Sequence, residues 1–174
     1  MKGHQRTGFT LTELLITVAI LGIATSIGIS SYGRTWERER VLATSNELLG
    51  WLESARRSAI GGTSCSVTIS TGDIAIQSII ASMATGSSGL CASVQPLILT
   101  GITQGYSINV STATASMTFT SRGTISTPSG AGNRSIILTI NPGGYTRCIA
   151  INNLLGNMAI GITSGTTCNT ERGG

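Results

Sequence analysis

Few side chains in this chain have the chemistry to act on a substrate, and most of them stand in its first third. The single histidine is His4, and from residue 61 onward the charged residues are Asp73, Arg122, Arg134, Arg147, Glu171 and Arg172. General acid–base work needs a positioned His, Glu, Asp or Lys with a tuned pKa. One mid-chain aspartate and one carboxylate far along the sequence make no such pair. A Ser–His–Asp or Cys–His arrangement lacks its histidine. The four cysteines, Cys65, Cys91, Cys148 and Cys168, contain no C-x-x-C, so zinc or dithiol redox chemistry has little support. The inventory points away from an enzyme, and no cofactor or metal is expected.

One titratable group stands out by its surroundings. Glu13 is the only charge between Phe9 and Ser30, a run that reads FTLTELLITVAILGIATSIGIS. As a helix this run would be about 33 Å long, enough to span a bilayer core. A basic leader with Lys2 and Arg6 precedes it. Three readings compete. A buried core helix fits poorly with so long an apolar run. A secretory signal peptide has the basic start and a small-x-small site at Ala24-Thr25-Ser26, but its apolar region would be long and would contain Glu13. The third reading keeps the segment as a membrane helix and gives the carboxylate a function, since a charge at the bilayer centre costs about 2.5–3.5 kcal/mol.

The string Gly8-Phe9-Thr10-Leu11-Thr12-Glu13, with basic residues before it and an apolar helix after it, resembles the class III signal of type IV prepilins. The resemblance implies that a membrane peptidase cuts after Gly8 and methylates the new terminal Phe9. It also implies that Glu13 pairs with the N-terminal amine of a neighbouring subunit in a filament. The implied partners are other pilin or pseudopilin subunits, the prepilin peptidase, the bacterial inner membrane and an assembly platform. The implied placement is a cytoplasmic N-terminus with a periplasmic head. Arginines stand on both sides of the segment (Arg6 before it, Arg34, Arg38 and Arg40 after it), so the positive-inside rule does not set the orientation. The chemistry is sound in its own right, because a buried carboxylate needs a partner charge and a free α-amine is positive at neutral pH.

The elements that would position this motif follow from hydrophobic spacing. Beyond Ser30, Val41, Leu42, Leu48, Leu49, Leu52, Ala55 and Ala59 fall on one broad helical stripe, with Asn46, Glu47, Glu53 and Arg57 largely opposite. Glu53 and Arg57 form an i,i+4 pair, and Gly61-Gly62 closes the helix. A continuous helix from Phe9 to Ile60 would reach about 78 Å. Gly28, Gly33 and Gly50 are candidate kinks, each costing up to about 1 kcal/mol relative to Ala. Arg34, Arg38 and Arg40 are interleaved with Glu37 and Glu39, which suits a solvated helix face better than a lipid-binding cluster.

After Gly62 the pattern changes to short β-prone runs between Gly, Ser and Thr; Ser and Thr together hold 47 positions and Gly 23. Strands are expected over Ser66–Ser70, Ile74–Ile80, Val94–Thr100, Tyr106–Ser111, Ser116–Thr120, Ser135–Ile140, Tyr145–Ile151 and Met158–Thr163, with a loop over Ala81–Gly89. Asn141-Pro142-Gly143-Gly144 is the strongest hairpin signal. An exported head accounts for an even cysteine count as two disulfides. Of three connectivities, Cys65–Cys91 with Cys148–Cys168 joins sequence neighbours and is preferred, each bridge contributing about 3 kcal/mol through loop closure. Four free buried thiols in a reducing compartment are the alternative. The fold class expected is α+β, a long N-terminal helix packed on a small antiparallel sheet stapled by disulfides. The expected divisions are a leader over 1–8, a membrane and assembly segment over 9–30, an amphipathic continuation over 31–62 and a β-rich head over 63–174.

The head also resembles pseudopilin H and related minor pilins, through Phe119-Thr120-Ser121-Arg122-Gly123 and the later Arg147–Ile151 stretch followed by Leu154-Leu155-Gly156. DNA-binding minor pilins of this group carry a basic motif after that last glycine. Here the stretch is Gly156-Asn157-Met158-Ala159-Ile160-Gly161, without an arginine, which speaks against nucleic acid as a partner. Arg122, Arg134 and Arg147 would have to cluster in space to compensate, and ring side chains for base stacking are scarce. The sequons at Asn109 and Asn133 carry no weight. Loss of residues 1–8 would leave nine basic against seven acidic residues, so the formal charge of +4 falls to +2. The resulting expectation is a structural subunit of a type IV pilus or type II secretion pseudopilus. The rival is a single-pass or secreted β-rich binding module.

Overall fold

The computed structural model describes residues 10–101, 104–113, 115–126, 134–151, 156–165 and 167–170, with the backbone alone over 27–32. Its elements are a helix α1 (Leu11–Ile60) and strands β1 (Cys65–Ile69), β2 (Gly72–Ala75), β3 (Ile79–Met83), β4 (Leu97–Ile98), β5 (Ser107–Thr112) and β6 (Ser116–Phe119). These are followed by β7 (Ile125–Ser126), β8 (Arg134–Asn141), β9 (Thr146–Ile151), β10 (Met158–Ser164) and β11 (Thr167–Asn169). A 3-10 turn covers Gly89–Ser93. Contacts divide the chain into two units, Met1–Trp36 and Glu37–Gly174.

In the first unit, the described side chains from Leu11 to Ser26 are all exposed, among them Leu14, Leu15, Ile16, Val18, Ile20, Leu21 and Ile23. The polar residues of this stretch turn their hydroxyls back on the helix. Thr17 donates to the Leu14 carbonyl at 2.9 Å, Thr25 to that of Leu21 at 2.9 Å, and Ser26 to that of Ile23 at 2.8 Å. Such back-bonding satisfies hydroxyls without water. Among the described residues no helix is long and apolar enough to cross a membrane. The expected segment 9–30 includes Phe9 and the side chains of 27–30, which lie outside the description.

The second unit is α+β. Residues 37–60 of α1 pack on two antiparallel sheets, in the orders β4-β3-β1-β6-β7 and β11-β10-β9-β8-β5-β2. One core joins Val41, Leu48, Leu52 and Ala55 of the helix with Val67, Ile80 and Phe119 of the first sheet and Ile108, Leu138 and Ile149 of the second. Full burial of each large side chain is worth about 1.5–3 kcal/mol. The buried helical stripe also takes in Thr44, Ser45 and Trp51, while Leu42 is exposed. Thr44 and Ser45 fit an apolar stripe because their hydroxyls donate to the Arg40 and Val41 carbonyls, at 3.0 and 2.7 Å. Gly61 and Gly62 return their amides to the Arg57 and Ala59 carbonyls and end the helix. No break interrupts it at Gly28, Gly33 or Gly50.

The antiparallel head is divided between two sheets, and some strands differ from their expected bounds. The run Ile74–Ile80, read as one strand, is two: β2 joins β5 in the six-stranded sheet, and β3 joins β1 in the other. The turn between them holds Gln77 at φ 64, with its amide donating to the Leu99 carbonyl at 2.8 Å. An apolar run carries no mark of which partner each half will find. Val94–Thr100 contracts to β4, and Ala81–Met83, read as loop, belongs to β3. The Asn141–Gly144 hairpin stands where its turn residues place it, with Gly144 donating to the Ile140 carbonyl and Ile140 to that of Tyr145.

Candidate functional site

At the helix start Thr10 and Glu13 form a reciprocal cap. The Glu13 carboxylate accepts from the Thr10 amide at 3.1 Å and from its hydroxyl at 3.0 Å, and the Glu13 amide donates to the Thr10 hydroxyl at 3.3 Å. This is a capping box, which satisfies amides that have no partner in the first helical turn. The T-x-x-E spacing signals it in the sequence, beside the assembly role that the resemblance implies for Glu13. Gly8 and Phe9, the residues of the expected cleavage and methylation, lie outside the described residues.

In the head, the two glycine elements singled out by sequence meet each other and the helix. Thr120 and Gly123 form a turn in which Thr120 donates to the Thr124 carbonyl at 2.8 Å and Gly123 to that of Thr120 at 2.9 Å. The Gly123 carbonyl accepts from Arg56 Nε of α1 at 2.8 Å. Gly156, at φ +63, lies so close that a Cβ there would fall 2.2 Å from the Gly123 oxygen and 3.1 Å from Arg56 Nε. Glycine is required at 156 both by conformation and by space. Further along the helix, Trp51 Nε1 donates to the Gln95 carbonyl at 2.7 Å and Arg40 to that of Gly101. Sequence reasoning missed these three helix-to-loop contacts, since nothing in the spacing of Arg56, Trp51 or Arg40 names a carbonyl partner. Leu154 and Leu155 lie outside the described residues.

The cysteines form two disulfides, Cys65–Cys91 and Cys148–Cys168. The first ties β1 to the 3-10 turn, and both of its residues are buried. The second ties β9 to β11, the edge strand of its sheet. No group of metal-ligating side chains occurs among the described residues.

The three head arginines among the described residues do not form one patch. Arg134 stands opposite Ile151 and Arg147 opposite Leu138 in the same β8–β9 ladder, four residues apart along it, about 13 Å. Arg122 is on the exposed turn between β6 and β7 of the other sheet. Arg134 has Nε and Nη1 buried without a hydrogen-bond partner among the described residues. Arg147 is half-buried beside Arg38, which stacks 4.7 Å from the centroid of the Tyr145 ring.

An apolar helix start closed by a threonine–glutamate box, continued into a disulfide-linked head of short antiparallel strands, defines a pilin-like class of protein. Residues 3–29 match the model of the prokaryotic N-terminal methylation motif, and residues 44–155, more than half of the chain, match that of type II transport protein GspH. The chain belongs to the GspH family, and so is a pseudopilin or minor-pilin subunit of a type II secretion system or type IV pilus. No curated protein and no solved structure matches it.

Proposed function

We propose that this chain is a non-enzymatic filament subunit, cut after Gly8 by a prepilin peptidase, N-methylated on Phe9 and assembled through its N-terminal helix. Residues 9–30 anchor it in the inner membrane before assembly, with the N-terminus cytoplasmic and the head periplasmic. In the filament Glu13 pairs with the α-amine of a neighbouring subunit. The observation that carries this reading is the methylation-motif match over residues 3–29, which takes in a helical stretch whose apolar side chains from Leu11 to Ile23 are exposed. Apolar surface of that extent is stable only when covered by lipid or by other helices. Two disulfides suit a head that works in an oxidising compartment.

Mass spectrometry of the membrane-extracted protein tests this directly. N-methyl-Phe9 as the terminal residue is expected; an intact Met1, or a terminus at Ile27 from ordinary signal cleavage, would sink the reading. Within the class, the description of the family as a type II transport protein favours the secretion pseudopilus. A deletion strain is then expected to retain its exoproteins while keeping its surface pili.

A further inference from the structure

Between α1 and strands β9 and β10 lies a groove of about 370 Å³, walled by Arg38 and Val41 of the helix and by Tyr145, Arg147 and Ile162 of the sheet side. Arg147 is placed there by the sheet. It stands directly opposite Leu138, a fully buried residue, so both side chains project from the core face. At that position an arginine is half-buried, yet no hydrogen bond or ion pair engages its guanidinium among the described residues. Arg38 is held over the Tyr145 ring, an interaction that leaves its N–H edge available for an acceptor. Ile162 remains 40 % exposed although it lines the groove. The site thus presents two guanidinium groups, one aromatic ring and the exposed aliphatic side chain of Ile162, all within residues 38–162.

We propose that this groove is a docking site for a carboxylate: it receives an aspartate or glutamate side chain, with an adjoining apolar residue, from an exposed segment of a partner protein. A guanidinium fork binds a carboxylate through two parallel N–H···O bonds, and partial burial strengthens them. Ile162, 40 % exposed, supplies the apolar contact beside them. The charge balance selects against a polyanion. The Glu37 carboxylate stands against Gly143, next to Gly144 at the groove's end, so the local charge is +1 rather than +2. Nucleic acid affinity rests on several phosphate contacts and open ring faces. Arg122 and Arg134 stand elsewhere on the head, and the Tyr145 face is occupied by Arg38. The site does not depend on the processing of the N-terminus.

The test uses the full chain in detergent micelles with isotope-labelled arginine and tyrosine, titrated with the peptide acetyl-Ala-Leu-Glu-Leu-Ala-amide and its glutamine counterpart. The glutamate peptide is expected to shift the Arg38 and Arg147 Nε signals and those of the Tyr145 ring. The glutamine peptide should bind on the order of tenfold more weakly, the factor of one charge-assisted hydrogen bond. Added salt should weaken the glutamate peptide alone. Arg147→Gln should abolish its binding, and Arg147→Lys, which keeps the charge and loses the fork, should retain part of it. Should R147Q melt early, Arg38→Gln on the exposed helix face provides the same reading. Equal binding of the two peptides, absence of shifts at Arg147, or stronger shifts with oligothymidylate than with the glutamate peptide would each overturn the proposal.

Discussion

Glu13 caps the helix and is proposed to act in assembly, two roles that a single substitution can separate. Its carboxylate completes the capping box with Thr10, and in the proposed filament it also supplies a charge to a neighbour's amine. Alanine removes both roles and costs the helix start about 1 kcal/mol. Glutamine can still accept from the Thr10 amide, and it carries no charge. Glu13→Gln is therefore expected to keep the helix and to assemble as poorly as Glu13→Ala, measured by filament incorporation beside circular dichroism of the micelle-bound chain. Normal assembly of the glutamine variant would make Glu13 a helix cap alone. At Gly156 the conflict is steric. Gly156→Ala should lower stability by about 2 kcal/mol or more in urea unfolding, because a Cβ would strike the Gly123 carbonyl in a left-handed backbone. Arg134 gives the opposite expectation. Its buried Nε and Nη1 have no hydrogen-bond partner among the described residues, so Arg134→Leu should leave the melting temperature unchanged or raise it.

Among the elements, the helix was the most legible in the sequence. Its buried residues recur at three- and four-residue intervals from Val41 to Ala59, and that periodicity is local. Trp51 escaped the reading because an indole can lie at the stripe's edge once its N–H finds the Gln95 carbonyl. The strands were legible where turn residues bounded them, as at Asn141–Gly144. They were illegible where one apolar run serves two sheets, as at Ile74–Ile80. β7 and β11, of two and three residues, are too short to show alternation at all. The disulfides act at this scale too. They close separations of 26 and 20 residues, so removing either pair by Cys→Ser should cost a similar amount, about 3 kcal/mol in urea unfolding. A much larger loss for Cys65/Cys91 would point to packing of the buried Cys91 rather than to loop closure.

For the whole molecule, the core decides which part can stand alone. Every residue of the buried cluster lies between Val41 and Ile151, within the unit that begins at Glu37. The chain from Glu37 onward is expected to fold as a soluble protein with both disulfides formed and a cooperative thermal transition. An aggregated or molten product would show that residues 10–36 contribute to the head's stability. In the proposed function the exposed leucines and isoleucines from Leu11 to Ile23 are the part covered by lipid or by other helices, which makes membrane and filament alternative homes for one segment.

The sequence by itself determined the N-terminal motif, the helical stripe, the α+β class and the near absence of catalytic groups. Each of these rests on residue type and short spacing. Only the tertiary structure decided that the head holds two sheets, that Gly156 meets Gly123 and Arg56, and that Arg147 turns into a groove beside Arg38. Those facts depend on strand register and on contacts between segments far apart in the chain. Alternation alone puts Arg147 on the face of Ile149 and Ile151, but that this face opens into a groove beside Arg38 depends on how the helix packs against the sheet.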